Sequence, residues 1–392
     1  MKVGIITHHG LPNCGANLQA LSTSLALKRM GHIPVIIDYN VPEIEELYRK
    51  ITIPEQYKKH EEFVREYLNV SDACLNIDDV KKVAEKEGLG AVISGSDAVL
   101  RLDKKRSNRE DMCFPNPFWL TWAKELGIEK TGFVAPSSMG SNYFSQPKEV
   151  RKGIKDAIEN LTYCGVRDNW TALMLKSCGV SKEKVNFCPD PVTQVVSNEM
   201  LGLIPEIERP AGKFVLLGTY EKTAPKAWVE GLIKLLKSAG YITVGFPQPD
   251  HPSKIPTDIE VPLPVSPLEW LAWLNASEGY IGVRFHPIVI SQALGKPFVA
   301  LDHYDNGIPV QNKYLNKASR KLAPFMRTVS KTYDLAKRVG LEEYVVPKRK
   351  INVTSPRAVF DLFESASSNI TTKADRERRA KEFDNVLNAF VN

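Results

Sequence analysis

Arg284 and His286 stand two residues apart, just after the apolar run Tyr280-Ile281-Gly282-Val283 and just before Pro287 and a helical pattern. At that spacing an extended segment presents both side chains on one side. Pro287 suits the first turn of the helix that follows. A guanidinium, an imidazole and the free N–H groups of a helix start form a site for a phosphate group, unless the arginine merely caps a carboxylate and the histidine packs. The same tripeptide, Gly-Val-Arg, closes an earlier apolar run as Gly165-Val166-Arg167, followed by Asp168. Two arginines just past buried strands, one in each half of the chain, predict a cleft that grips a small doubly charged anion. Arg167 has a competing use, pairing with Asp168 or Asp190. Asp168 itself reads as the N-cap of a helix through Leu175.

Two further loops follow predicted strands. Asp97, in Gly95-Ser96-Asp97, is either a binding or acid–base carboxylate or a loop residue bonded to its own backbone. Asn13, Asn17 and Gln19 surround Cys14-Gly15, where the chain can pass close to a ligand and the amides can read hydroxyl groups. The other reading is a strand-to-helix turn with an asparagine cap. This loop does not form Gly-x-Gly-x-x-Gly, so a conventional dinucleotide site is not supported. Cys14 reads as a small filler rather than an acidified thiol.

Alternating strands and helices must position these loops. Strands are predicted at 2–7, 35–38, 91–94, 132–135 and 163–166, with helices at 15–30, 55–68 and 78–87. The 15–30 helix reads as amphipathic, with Leu18, Leu21, Leu25 and Leu27 on its buried side. After a Pro/Glu-rich linker at 196–212 the alternation restarts. Strands fall at 214–217, 243–244, 280–283 and 297–301, and helices at 225–238, 266–276 and 286–294. The expected fold is α/β, with two Rossmann-like doubly wound domains facing across a cleft. The first spans 1–196 and is the acceptor side. The second spans 213–350 and is the phosphate or donor side. The remainder, 351–392, is helical and is expected to pack back on the first domain.

Composition narrows the class. The chain has 392 residues, 43% hydrophobic and 25% charged, as in a soluble two-domain protein. No apolar run reaches the ~18 residues of a membrane span, and the N-terminus reads as a strand rather than a signal peptide. A cytoplasmic location is expected. The six cysteines have no Cys-x-x-Cys or zinc-like spacing, so free thiols and no metal site are expected. Residues 313–350 carry eleven Lys/Arg against three Asp/Glu. This is either a solvated helical face or a surface that meets an acidic headgroup or a phosphorylated carrier, as in peripheral membrane contact. Nucleic acid is not an expected partner, because no recognition motif accompanies the charge.

Together the four loops resemble the polysaccharide pyruvyl transferase family. The matching pieces are Val3-Gly4-Ile5-Ile6-Thr7, Asn13-Cys14-Gly15-Ala16-Asn17-Leu18-Gln19, Gly95-Ser96-Asp97 and Val166-Arg167-Asp168. Asp190-Pro191 and Gly282-Val283-Arg284-Phe285-His286, with Gly295-Lys296-Pro297-Phe298 behind it, complete the match. The chain departs from the family pattern at Ala98-Val99-Leu100-Arg101, where Gln-x-Trp-Asn is usual, and at Pro136-Ser137-Ser138-Met139-Gly140, where Ala-Ala-Ser-Phe-Gly is usual. Acceptor contacts are expected at both.

The resemblance implies a GT-B-like fold and transfer of pyruvate from phosphoenolpyruvate to two hydroxyls of a sugar, in exopolysaccharide or cell-envelope synthesis. The product is a cyclic ketal, phosphate is released, and no cofactor is needed. The acceptor is a glycan, lipid-linked or free. On that reading Arg284 and His286 hold the phosphate, and His286 is the first choice of proton donor. Arg167 takes the carboxylate. Asp97 orients or deprotonates the acceptor hydroxyl, and Asn13, Asn17 and Gln19 also contact the acceptor. The alternatives are a GT-B glycosyltransferase with a nucleotide-sugar donor, transfer that stops at the enolpyruvyl ether, and a non-catalytic sugar-binding member of the fold.

Overall fold

Seven strands build the first sheet: β1 (Lys2–Ile6), β2 (Ile33–Tyr39), β3 (Val70–Cys74), β4 (Ala91–Ser94), β5 (Lys130–Val134), β6 (Tyr163–Val166) and β7 (Asn186–Phe187). Six build the second: β8 (Phe214–Gly218), β9 (Ile242–Gly245), β10 (Ile259–Glu260), β11 (Gly279–Gly282), β12 (Phe298–Leu301) and β13 (Val345–Val346). The structure, a computed structural model, describes residues 1–103, 109–219, 223–247, 255–302, 330–367 and 371–391. Every pairing between these strands is parallel.

The strand orders are β3-β2-β1-β4-β5-β6-β7 and β10-β9-β8-β11-β12-β13. Each order reverses direction once, between β1 and β4 in the first sheet and between β8 and β11 in the second. At such a switch the crossover helices leave on opposite faces and open a crevice at the carboxyl ends of the strands. The loops after β1, β4 and β11 are the ones whose residue types suggest chemistry.

One apolar core runs from domain to domain. It joins Leu18 and Leu21 of the Cys14–Arg29 helix to Trp270 and Leu271 of the Pro267–Ala276 helix and Ile288 of the Phe285–Leu294 helix. The Cys14–Arg29 helix is therefore buried on nearly every side over its first three turns, rather than on one stripe as the leucine spacing suggests. The second domain covers the face that would otherwise meet water. Gln56 reinforces the junction: its Nε2 donates to the Val265 carbonyl at 2.7 Å, and its Oε1 accepts from Val265 N at 2.8 Å.

The C-terminal segment divides. The Pro356–Ala366 helix stays with the second domain, where Val359 and Phe363 pack with Leu232 and Val299. This corrects the expectation that all of 351–392 packs on the first domain, and the reason is the apolar face of that helix. Only the Lys373–Val391 helix crosses back. There Phe390 lies against Gly132 of β5, and Lys130 Nζ donates to the Val391 carbonyl at 2.6 Å.

Candidate active site

A cavity of about 440 Å³ lies where the two crevices face each other. The first domain lines it with His8 and Asn13 after β1, Asp97 and Arg101 after β4, and the Arg109–Asp111 pair. The second contributes Arg284, Phe285 and His286 after β11, Asp302 after β12, and Lys331. Sequence reasoning singled out Asn13, Asp97, Arg284 and His286 among these. The resemblance also implies acceptor contacts at the stretch that holds Arg101, but His8, Arg109, Asp111 and Lys331 were not singled out.

Asp97 sits at φ 65°, a left-handed conformation that Asp tolerates better than most residues. Its carbonyl accepts from Ser137 N at 2.7 Å, tying the loop after β4 to the one after β5. Burial alone would raise its carboxyl pKa. The Arg167 guanidinium first, then the His286 imidazole and the Lys331 amine, instead hold it well below the usual carboxylate range. A carboxylate so stabilised orients a hydroxyl but is a poor base.

Arg167 does not line the cavity. It is buried, with Nη1 donating to Asp190 Oδ2 at 2.9 Å and Nη2 to Asp97 Oδ1 at 3.0 Å. Its guanidinium lies 5.1 Å from the centre of the Phe285 ring. The expected contact with a ligand carboxylate is corrected accordingly, because two aspartates already occupy the guanidinium. Pairing with Asp190 is the competing use that the fold realises. Asp168 is the expected N-cap, accepting from Thr171 N at 2.7 Å and Thr171 Oγ1 at 2.8 Å.

Asn17 and Gln19 are likewise internal, which corrects their expected place at the acceptor. Asn17 Nδ2 donates to the His9 carbonyl at 2.5 Å, and its Oδ1 pairs with His60 Nδ1 at 2.8 Å. Gln19 Nε2 donates to both oxygens of Asp190, at 3.0 and 2.8 Å. Their helix is covered by the second domain, so its amides turn inward and bond His9, His60 and Asp190 of the first domain. Asn13 has both uses: it caps the helix, accepting from Ala16 N at 3.2 Å, and it reaches the cavity.

Arg284 occupies the N-cap position of the Phe285–Leu294 helix, so the helix's first N–H groups and the guanidinium share one wall. His286 lies against the start of the Cys14–Arg29 helix. A Cβ on Gly15 would come within 2.0 Å of His286 Nδ1, so only glycine permits this approach. Burial holds the imidazole down to about 4, against the raising influence of Asp97 and Asp190. The ring is therefore neutral at neutral pH, and its buried Nε2 has no hydrogen-bond partner among the described residues.

Lys331 completes this wall. Its Nζ lies 4.6 Å from the centre of the Phe285 ring. Burial, reinforced by Arg167, lowers its pKa to about 8. The signal that would have found it is a lysine at the first position of a helix, right behind a serine cap, where a cation is disfavoured.

Among the described residues, no group of three or more His, Cys, Asp or Glu is disposed to hold a metal ion, and no helix is long and apolar enough to cross a membrane. The cysteines are free thiols. Residues 313–329 of the basic stretch lie outside the described residues.

A family model for polysaccharide pyruvyl transferase matches residues 13–306, which include the loops after β4, β6 and β11. The chain belongs to the polysaccharide pyruvyl transferase family. Both stretches that depart from the family's usual pattern reach the cavity, through Ala98 and Arg101 and through Ser137, Met139 and Gly140. No curated protein matches the chain. Among solved structures it is similar to Methanocaldococcus jannaschii UDP-GlcNAc 2-epimerase in complex with UDP-GlcNAc and UDP, at 15% identity and TM-score 0.50, covering 99% of each chain. It is also similar to UDP-N-acetylglucosamine 2-epimerase from Rickettsia bellii, at 12% identity and TM-score 0.49, covering 99% of this chain and 95% of that one. The first of these likenesses shows a GT-B type of fold and nothing about the ligand.

Proposed function

We propose that this transferase moves pyruvate from phosphoenolpyruvate to two hydroxyls of a glycan, forming a cyclic ketal and releasing phosphate. The observation that carries the reading is the wall formed by Arg284, His286 and Lys331 at the start of the Phe285–Leu294 helix. A phosphate seated there meets a guanidinium, an imidazole with a spare nitrogen and helix N–H groups. Such fixed positive charge also favours the departing phosphate. The remaining volume, walled by Asn13, Asp97 and Arg101 of the first domain, suits the acceptor.

The reaction balances without an added reagent. The methylene carbon of phosphoenolpyruvate gains a proton, which leaves C2 cation-like. One glycan hydroxyl adds at C2 and loses its proton. The C2–O bond to phosphate breaks, and the second hydroxyl closes the ring as its proton departs with the phosphate. Asp97 orients a hydroxyl, and Arg167 acts indirectly by fixing Asp97.

Calorimetric titration with phosphoenolpyruvate, beside UDP-N-acetylglucosamine, tests the donor. Binding of phosphoenolpyruvate that is lost in Arg284→Ala, together with acceptor-dependent release of phosphate, is the expected result. Binding of the nucleotide-sugar and not of phosphoenolpyruvate would replace this reading with glycosyl transfer.

A further inference from the structure

Lys331 has a position that stability does not explain. It is the first residue of the Lys331–Arg338 helix, the end at which the backbone dipole opposes a cation. No carboxylate lies within ion-pair distance of its Nζ among the described residues. The one carboxylate on its own helix, Asp334, is taken by the other domain, accepting from Asn169 N and Asn169 Nδ2 at 2.8 Å each.

The helix is held at both ends. Ser330 Oγ donates to Asp302 Oδ2 at 2.5 Å, and Arg338 Nη2 donates to Asn169 Oδ1 at 2.8 Å. A rigid mount therefore aims an unpaired ammonium into the cavity, across the Phe285 ring and beside His286. The charged groups that face it are Arg167 and Asp168 after β6, Asp97 after β4, Asp190, and His286.

We propose that Lys331 is the acid that protonates the methylene carbon of the donor, and that neutral His286 is the base for the attacking hydroxyl. This rests on the pyruvyl-transfer reading. The Nζ–H bond breaks, and the C2–C3 π pair takes the proton to form the methyl group. The first hydroxyl gives its proton to His286 Nε2 as its oxygen bonds to C2. Exchange through solvent returns that proton to the amine, and the second hydroxyl's proton leaves with phosphate. In the free site Lys331 carries a proton at neutral pH and His286 does not, so His286 takes the base's part rather than the proton donor's part that the resemblance implies. An acid whose pKa is about 8 is also well matched to a neutral working pH.

The test is Lys331→Arg, which keeps the charge but holds its proton too tightly to give it up. The wild type should show kcat/KM falling with unit slope above pH about 8. The limb in kcat should lie higher, because the bound anion stabilises the ammonium. Lys331→Arg should bind phosphoenolpyruvate nearly as tightly, turn over about 10²-fold more slowly and lack the alkaline limb. Lys331→Ala, as a second variant, should recover part of its turnover with added ethylammonium.

Near-normal turnover by Lys331→Arg with the limb intact overturns the proposal, as does loss of binding in step with turnover. Should Lys331→Arg fail to fold, an Ala variant that ethylammonium does not rescue overturns it as well. A wild type that never consumes phosphoenolpyruvate overturns the pyruvyl-transfer reading, and the proposal with it. Wild-type turnover beside an unaffected variant overturns the proposal alone.

Discussion

The two Gly-Val-Arg sites begin alike and end differently. Each arginine follows an interior parallel strand, and each precedes a helix. Arg167 is enclosed between Asp97 and Asp190 and joins three loops of the first domain. Arg284 lines the cavity at the mouth of a helix. The strand and turn are not what distinguishes them. Asp190 caps the segment that follows β7, and Asp97 sits on the neighbouring loop, so carboxylates reach the first site from both sides. A motif tells where a guanidinium is delivered. The charges already waiting there decide whether it holds the fold together or meets a ligand.

The largest effect that would break this contrast is expected at Arg167. Arg167→Met leaves the buried Asp190 and the part-buried Asp97 without their cation, and a loss of about 3–5 kcal/mol of stability follows. Urea unfolding of the variant reads it directly. A variant that unfolds like the wild type but no longer binds phosphoenolpyruvate would put Arg167 at the ligand and restore the symmetric picture. Arg284→Ala is the counterpart. It should lower phosphoenolpyruvate affinity by about 10- to 100-fold, the loss of a charged hydrogen bond, while its urea midpoint moves far less than that of Arg167→Met. Calorimetry on the same samples checks both halves of the contrast.

The symmetric picture was what the sequence offered, and the reason it was incomplete is physical. Arg284 and His286 were legible because their signal is local: a strand end, a spacing of two and a proline at a helix start. The pairing of Arg167 with Asp190 spans 23 residues of sequence, so it stood only as one alternative. Asn17 and Gln19 were misplaced because the Cys14–Arg29 helix is covered by a second domain that its own leucine spacing does not announce. Lys331 escaped because its one sequence signal, a lysine right behind a serine cap, is weak by itself, and the lack of a carboxylate partner among the described residues has no sequence pattern.

In the fold, the long buried strands were readable. The exposed edges β7 and β10, of two residues each, were not, since their pairing owes little to hydrophobic patterning. The Lys148–Glu159 helix was also missed: it buries only Ile154, Ala157 and Ile158 and carries Gly153 at its centre.

Gly15→Ala sharpens the contrast from the other direction, because it touches the second domain's site from the first domain. The new methyl group would overlap the His286 ring, 2.0 Å from Nδ1 and 2.2 Å from Cγ, so the imidazole must shift. Alanine favours the helix itself, and Arg167 and its aspartates are untouched. Turnover should fall about tenfold through the misplaced base, with little change in the urea midpoint. Equal losses in both would mean that His286 braces the domain junction rather than serving the ligand.

The smallest effect concerns acid, and it separates the two arginine sites by their carboxylates. Arg167 leads the cations that hold the Asp97 carboxyl below its ordinary 3.8, despite burial. A depressed carboxylate contributes stability that is present above the unfolded value and is lost as pH falls through the folded one. Asp97→Asn should therefore be less stable than the wild type at pH 7, by under about 2 kcal/mol. The gap should persist down to pH 3.8 and close below it. Urea midpoints of the two proteins at pH 7, 5 and 3 follow the difference. A variant as stable as the wild type at pH 7, or a wild type that gains on the variant as pH falls from 7 to 5, would mean that Asp97 titrates as an ordinary or raised carboxylate. Arg167 would then be held by Asp190 alone, and Asp97 would be basic enough to take a proton from the acceptor.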